Sequence, residues 1–109
     1  MTGYYDLRTA SGGFMFNLKA GNHEVILTSE TYNTKPAAEA GIASVQANSP
    51  NDERYERKSS VRGEAYFVLK ATNGQTIGKS EMYSSASAME SGIASVEANG
   101  PTKTVKDAT

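Results

Sequence analysis

Residues 16–50 read FNLKAGNHEVILTSETYNTKPAAEAGIASVQANSP, and residues 67–101 read FVLKATNGQTIGKSEMYSSASAMESGIASVEANGP. The two stretches align without a gap at an offset of 51 residues, and 19 of 35 positions are identical. A duplication of that length is one supersecondary unit made twice, each copy too small to close a core alone. What one copy can form, and how two copies meet, therefore decides the fold.

Each copy opens with alternating, aromatic-rich sequence, residues 14–20 and 65–71, which reads as a half-buried strand. A turn follows, Gly21-Asn22-His23 or Thr72-Asn73-Gly74, and then a short second strand at Val25–Thr28 or Thr76–Lys79. A three-residue loop pairs Leu18 with Ile26 and Leu69 with Ile77, which puts the shared aliphatics on one face. It also gives Gly74 the left-handed position such loops require, and hands that position to His23 in the first copy.

A helix is predicted over 34–48 and again over 85–99, with Thr34 and Ser85 as N-caps and Pro36 in the first turn. Ala38, Ile42 and Val45 recur as Met89, Ile93 and Val96, one apolar stripe. Gly41 and Gly92 lie on the same stripe, which implies close approach to another element. Glu39 and Glu90 are placed early in the helices, where an acid complements the macrodipole. Matching stop signals, Asn48-Ser49-Pro50 and Asn99-Gly100-Pro101, close both copies.

Extended segments are expected at 4–9, 54–59 and 103–106, with Tyr4 and Tyr55 matching at the 51-residue offset. The middle one ends the first copy and begins the second, so the halves are not separable. The expectation is an α+β protein: one antiparallel sheet with both helices on one face. It forms one domain over 1–109, made of repeats at about 1–52 and 53–109 that are not stable alone.

Hydrophobic residues make up 38% of the chain and charged residues 21%, enough of a core to fold. The net charge of −1 gives no general attraction to nucleic acid or anionic lipid. Cysteine is absent, which removes disulfides, thiolate chemistry and Cys-type zinc sites. The beginning of the chain lacks the pattern of a signal peptide. Its longest apolar run, Val25-Ile26-Leu27, is far short of a membrane span. A soluble cytoplasmic protein without membrane contact is expected.

The pattern KAxNGxxIxxSExY followed by GIxSVxxN resembles the YegP-like family of small uncharacterised bacterial tandem-repeat proteins. It stands here as Lys70, Ala71, Asn73, Gly74, Ile77, Ser80, Glu81 and Tyr83, then Gly92, Ile93, Ser95, Val96 and Asn99. The first copy carries it from Lys19 to Asn48, with His23 in place of the glycine. The resemblance implies a β-β-β-α-β-type unit, two of which build a single sheet and exchange their C-terminal strands. It implies no activity, ligand or catalytic residue.

Candidate chemistry is sparse. His23 is the only histidine, so the usual zinc and triad arrangements cannot be completed, and a solvent-exposed turn residue is the better account. Ser29-Glu30-Thr31-Tyr32 and Ser80-Glu81-Met82-Tyr83 could pair a hydroxyl with a carboxylate. The stronger reading is a polar turn whose tyrosine wedges against the core. Lys19 and Lys70 fall on the sheet face away from the helices, together with Met15, Tyr66 and Val68. That face is the expected interaction surface, for a protein partner first. Single-stranded nucleic acid is the lesser alternative, because the characteristic aromatic pattern of RNA-binding sheets is missing. No enzyme activity, cofactor or metal is expected. The expected state is a monomer with internal pseudo-twofold symmetry.

Overall fold

Thr34 and Ser85 stand in extended backbone, and their hydroxyl oxygens accept the amides of Ala37 at 3.2 Å and Ala88 at 3.1 Å. In the computed structural model, which describes residues 3–109, these caps start α1 (Lys35–Asn48) and α2 (Ala86–Asn99). The buried residues are Ala38, Gly41, Ile42 and Val45 in α1, and Met89, Gly92, Ile93 and Val96 in α2. Those are the predicted stripes. Glu39 and Glu90 lie beyond the first turn, so the dipole role expected of them does not hold. Glu90 instead accepts from Arg57 Nε at 2.6 Å.

The strands are β1 (Tyr4–Ala10), β2 (Gly13–Lys19), β3 (Val25–Thr28), β4 (Tyr55–Ser59), β5 (Ala65–Lys70), β6 (Thr76–Lys79) and β7 (Val105–Asp107). They form one sheet in the order β4-β5-β6-β3-β2-β1-β7. Tyr5, Leu7, Phe16, Leu18, Phe67 and Leu69 project from alternate positions into a common core with both helical stripes. Thr28 pairs with Lys79 at the β3–β6 seam. These two are counterparts at the 51-residue offset, and counterparts face each other only across a twofold axis.

The strand after each helix joins the other copy: β4 lies against β5, and β7 lies against β1. The β1–β7 pair is parallel, so the sheet is mixed rather than wholly antiparallel. Tyr5 explains the direction. Its hydroxyl donates to Gly100 O at 2.6 Å and its amide donates to Thr104 O at 2.9 Å, drawing the chain that leaves α2 along that edge.

The turns keep the predicted three residues: the Ala20 amide donates to Glu24 O and the Ala71 amide to Gln75 O, both at 2.9 Å. Left-handed φ values of 71° at His23 and 84° at Gly74 fit that loop. A bulge beyond each turn then shifts the register, so Leu18 faces Leu27 and Leu69 faces Gly78. Ile26 and Ile77 do not take those pairings, yet both remain buried.

The outer strands obey a different offset. β1 turns into β2 through Ser11-Gly12, whereas β4 turns into β5 through Val61-Arg62-Gly63. The extra residue makes Tyr5, not Tyr4, the counterpart of Tyr55: Tyr5 faces Leu18 and Tyr55 faces Leu69.

Candidate functional site

Strand alternation sends Asp6 and Arg8 of β1, Met15 and Lys19 of β2, Glu56 and Lys58 of β4, and Tyr66, Val68 and Lys70 of β5 away from the helices. All five residues expected on the open face are therefore on it. They are not equally accessible. Met15, Lys19, Tyr66 and Lys70 are half-buried, while Val68 is only 7% exposed and forms floor rather than surface.

Each matched lysine is clamped to a carboxylate on its outer neighbour strand. Lys19 Nζ lies 3.0 Å from Asp6 Oδ2, which also binds Arg8. Lys70 Nζ lies 2.6 Å from Glu56 Oε1, with Lys58 Nζ at 3.8 Å. Burial alone would raise the Asp6 carboxyl, but hydrogen bonds from Lys19 and Arg8 hold it below its ordinary value. The bond from Lys70 lowers Glu56 in the same way. The lysines are legible in the repeat. Their carboxylates are not, because Asp6 and Glu56 stand 50 residues apart on the strands whose offset differs.

Two tyrosine rings on this face carry an ammonium group. Lys79 Nζ stands 5.0 Å from the centroid of Tyr66, and Lys106 Nζ stands 4.5 Å from that of Tyr4. Within the strands, the open side thus holds six cations (Arg8, Lys19, Lys58, Lys70, Lys79 and Lys106) against Asp6 and Glu56. That is a surplus of four positive charges, in a chain of net charge −1. The remaining side chains therefore carry a surplus of five negative charges.

A groove of about 250 Å³ opens at the seam between the two hairpins, bordered by Thr28, Glu30, Val68, Thr76, Gly78 and Lys79. Its lining is drawn mostly from the second copy. In the first copy the counterpart of Val68 is Asn17, a polar side chain whose Nδ2 donates to Thr28 Oγ1 at 3.0 Å.

The Ser-Glu-x-Tyr turns are structural on both counts. Ser29 Oγ accepts the Phe16 amide at 2.9 Å and donates to Glu30 O; Ser80 does the same with Phe67 at 3.0 Å and Glu81 O. Tyr32 stacks on Phe16 and Tyr83 on Phe67, each at 6.3 Å. The helical glycines admit these rings: a Cβ on Gly41 would stand 2.5 Å from Tyr32 Oη, and one on Gly92 would meet Tyr83 as tightly. Glu30 and Glu81 are both solvent-exposed, and Glu30 borders the seam groove with Ser29 and Ser80 while Glu81 does not, so the two carboxylates do not share one pocket. His23 is exposed too, with Nδ1 2.8 Å from Tyr4 Oη. Among the described residues, no group of three or more His, Asp or Glu could hold a metal ion, and no helix is long and apolar enough to cross a membrane.

Comparison with known proteins places this geometry among relatives. The family described as a domain of unknown function, DUF1508, matches twice, at residues 10–56 and 60–107. A UPF0339 protein of Bordetella pertussis is 54% identical over 109 residues, covering all of this chain and 98% of its own. The UPF0339 protein YegP of Escherichia coli K12 is 56% identical over 110 residues, with both chains fully covered. The solution NMR structure of E. coli YegP, described as of unknown function, superposes with a TM-score of 0.93 at 55% identity, covering all of this chain and 95% of that one. That of a UPF0339 protein from Shewanella oneidensis gives 0.92 at 53%, covering 98% and 92%.

Proposed function

The chain belongs to the DUF1508 family, as two tandem copies, and from that premise we propose that it is a non-enzymatic binding module that meets a cytoplasmic protein partner through its open sheet face. The strand charges carry this reading: the open side of the strands holds four surplus positive charges, while the loops, helices and other strand residues together are net negative. Fields of one sign concentrated on a surface steer oppositely charged partners and suppress wrong ones. Met15 and Tyr66 supply apolar area between the clamped lysines.

A protein partner is favoured over single-stranded nucleic acid by the tyrosines. Base stacking needs a free aromatic face, and both rings already hold an ammonium. The module acts as a monomer, since each copy already occupies the other's seam.

The test is affinity capture from native lysate with the wild-type chain and with Lys19→Glu/Lys70→Glu/Tyr66→Ala. The expected result is loss of a specific set of proteins with the triple variant. An unchanged set would remove the open face from consideration.

A further inference from the structure

The seam groove sits in the middle of the basic face and has its own chemistry. At about 250 Å³ it is smaller than the roughly 300–1,000 Å³ of small-molecule sites, so it suits a side chain rather than a cofactor. Val68 forms an apolar floor, Gly78 contributes backbone without a side chain, and Thr28 and Thr76 stand on the walls. Lys79 leaves the space open by leaning over Tyr66. The rim therefore carries one charge of each sign, Lys79 and Glu30, around an apolar recess, and the positive surplus comes from the flanking strands.

We infer that the seam groove between β3 and β6 receives one apolar side chain of an extended acidic segment from the partner protein. This rests on the open-face reading above and adds the partner's local chemistry to it. Carboxylates on either side of the inserted residue complement the surplus cations of both copies, while the recess selects the apolar anchor. The anchor is offset towards the second copy, which supplies Val68, Thr76, Gly78 and Lys79 to the groove, whereas the first copy has the polar Asn17 in place of Val68.

The test is a titration of the isotopically labelled full chain, followed by amide NMR. The probes are a short peptide of glutamates flanking one leucine, the same peptide with glycine for leucine, and an oligothymidylate of similar length. The leucine peptide should shift the amides of Thr28, Val68, Thr76, Gly78 and Lys79. It should bind roughly tenfold or more tightly than the glycine peptide, the scale expected for burying a leucine side chain. Thr76→Arg fills the groove while keeping the field positive, and should abolish that leucine preference. Thr28→Lys, which places the side-chain type already carried by its counterpart Lys79, should do the same and guards against misfolding of the first variant. Equal binding of both peptides would overturn the groove as an anchor site while leaving the charged face standing. Tighter binding of the oligothymidylate at the same amides would overturn the inference in favour of nucleic acid. No shift with any probe would overturn the inference too, and the lysate capture would then judge the face separately.

Discussion

Leu27 lies over Gly78, its own counterpart in the second copy, so closely that a Cβ built on the glycine would stand 2.6 Å from both Cγ and Cδ2 of the leucine. The twofold axis passes beside them, and one side chain fills the space that symmetry would demand of two. The same device recurs at the helix ends. Ser49 and Gly100, also counterparts, cap α1 and α2, and a Cβ on Gly100 would collide with the Ser49 side chain and approach Val96 O to 2.8 Å. Divergence between the repeats at these positions is what lets them close on each other.

Gly78→Ala should therefore destabilise the protein by about 1–3 kcal/mol through overpacking. Leu27→Ala alone should cost about 2–5 kcal/mol, since Leu27 is 1% exposed. The double variant should be less destabilised than the sum, because each change relieves the other. Urea unfolding of the four proteins checks this, and strict additivity would show that the two sites do not share the axial space.

The same asymmetry bears on whether one repeat suffices. A homodimer of first halves, cut after Asn51, would bring Leu27 against Leu27 and Ser49 against Ser49. A homodimer of second halves would leave glycine against glycine and an axial void. Neither half should give a dispersed amide spectrum alone, whereas mixing both should restore one. A folded first half by itself would contradict this account of the seam.

Much of this architecture is legible locally. Thr34 and Ser85, the helical stripes and the three-residue turns follow from capping, periodicity and glycine placement, which act within a few residues. The outer strands are different. Tyr4 aligns with Tyr55 in sequence, yet Tyr5 takes the equivalent place, because one hairpin loop carries an additional residue. That single insertion hides Asp6 and Glu56 as the partners of Lys19 and Lys70. The parallel β7 depends on contacts across nearly the whole chain and the seam groove on contacts across about half of it, which no local pattern encodes.

His23 holds a φ of 71° where the second copy has Gly74. The left-handed conformation costs a side-chain-bearing residue roughly 1–2 kcal/mol, offset in part by the greater unfolded-state freedom that a glycine there would lose on folding. Its hydrogen bond to Tyr4 is exposed and worth little. His23→Gly should leave stability unchanged or raise it by up to about 1 kcal/mol, read as an upward shift in melting temperature. Tyr4→Phe should change it by less than about 0.5 kcal/mol. A clear loss in His23→Gly would mean that the imidazole contact outweighs the backbone strain.

Ser49 Oγ is fully buried without a hydrogen-bond partner. Removing a buried, unpaired hydroxyl relieves about 1–3 kcal/mol of desolvation, offset by the small space left behind. Ser49→Ala should thus be neutral or stabilising, an uncommon outcome for a core position. Gly100→Ala should be severely destabilising in the same assay. If Ser49→Ala unfolds the protein, the hydroxyl must be satisfied in solution and the helix ends are packed differently.

Tyr5 and Tyr55 fix the alkaline limit of stability. Burial pushes both phenols far above their ordinary value of 10, and each donates to a helix-end carbonyl, Gly100 O at 2.6 Å and Ser49 O at 2.7 Å. The folded state keeps the proton after the unfolded state has released it, so the unfolded chain binds fewer protons above pH 10 and stability falls there. Below pH 10 their contribution is fully present. The denaturation midpoint should therefore hold level up to about pH 10 and decline beyond it. Tyr5→Phe/Tyr55→Phe should be less stable at neutral pH by about 1–3 kcal/mol per orphaned carbonyl, and should flatten the alkaline decline. Tyr32 and Tyr83, raised chiefly by burial as well, will retain part of the slope. An alkaline decline equally steep in the double variant would mean that these two hydroxyls do not govern it.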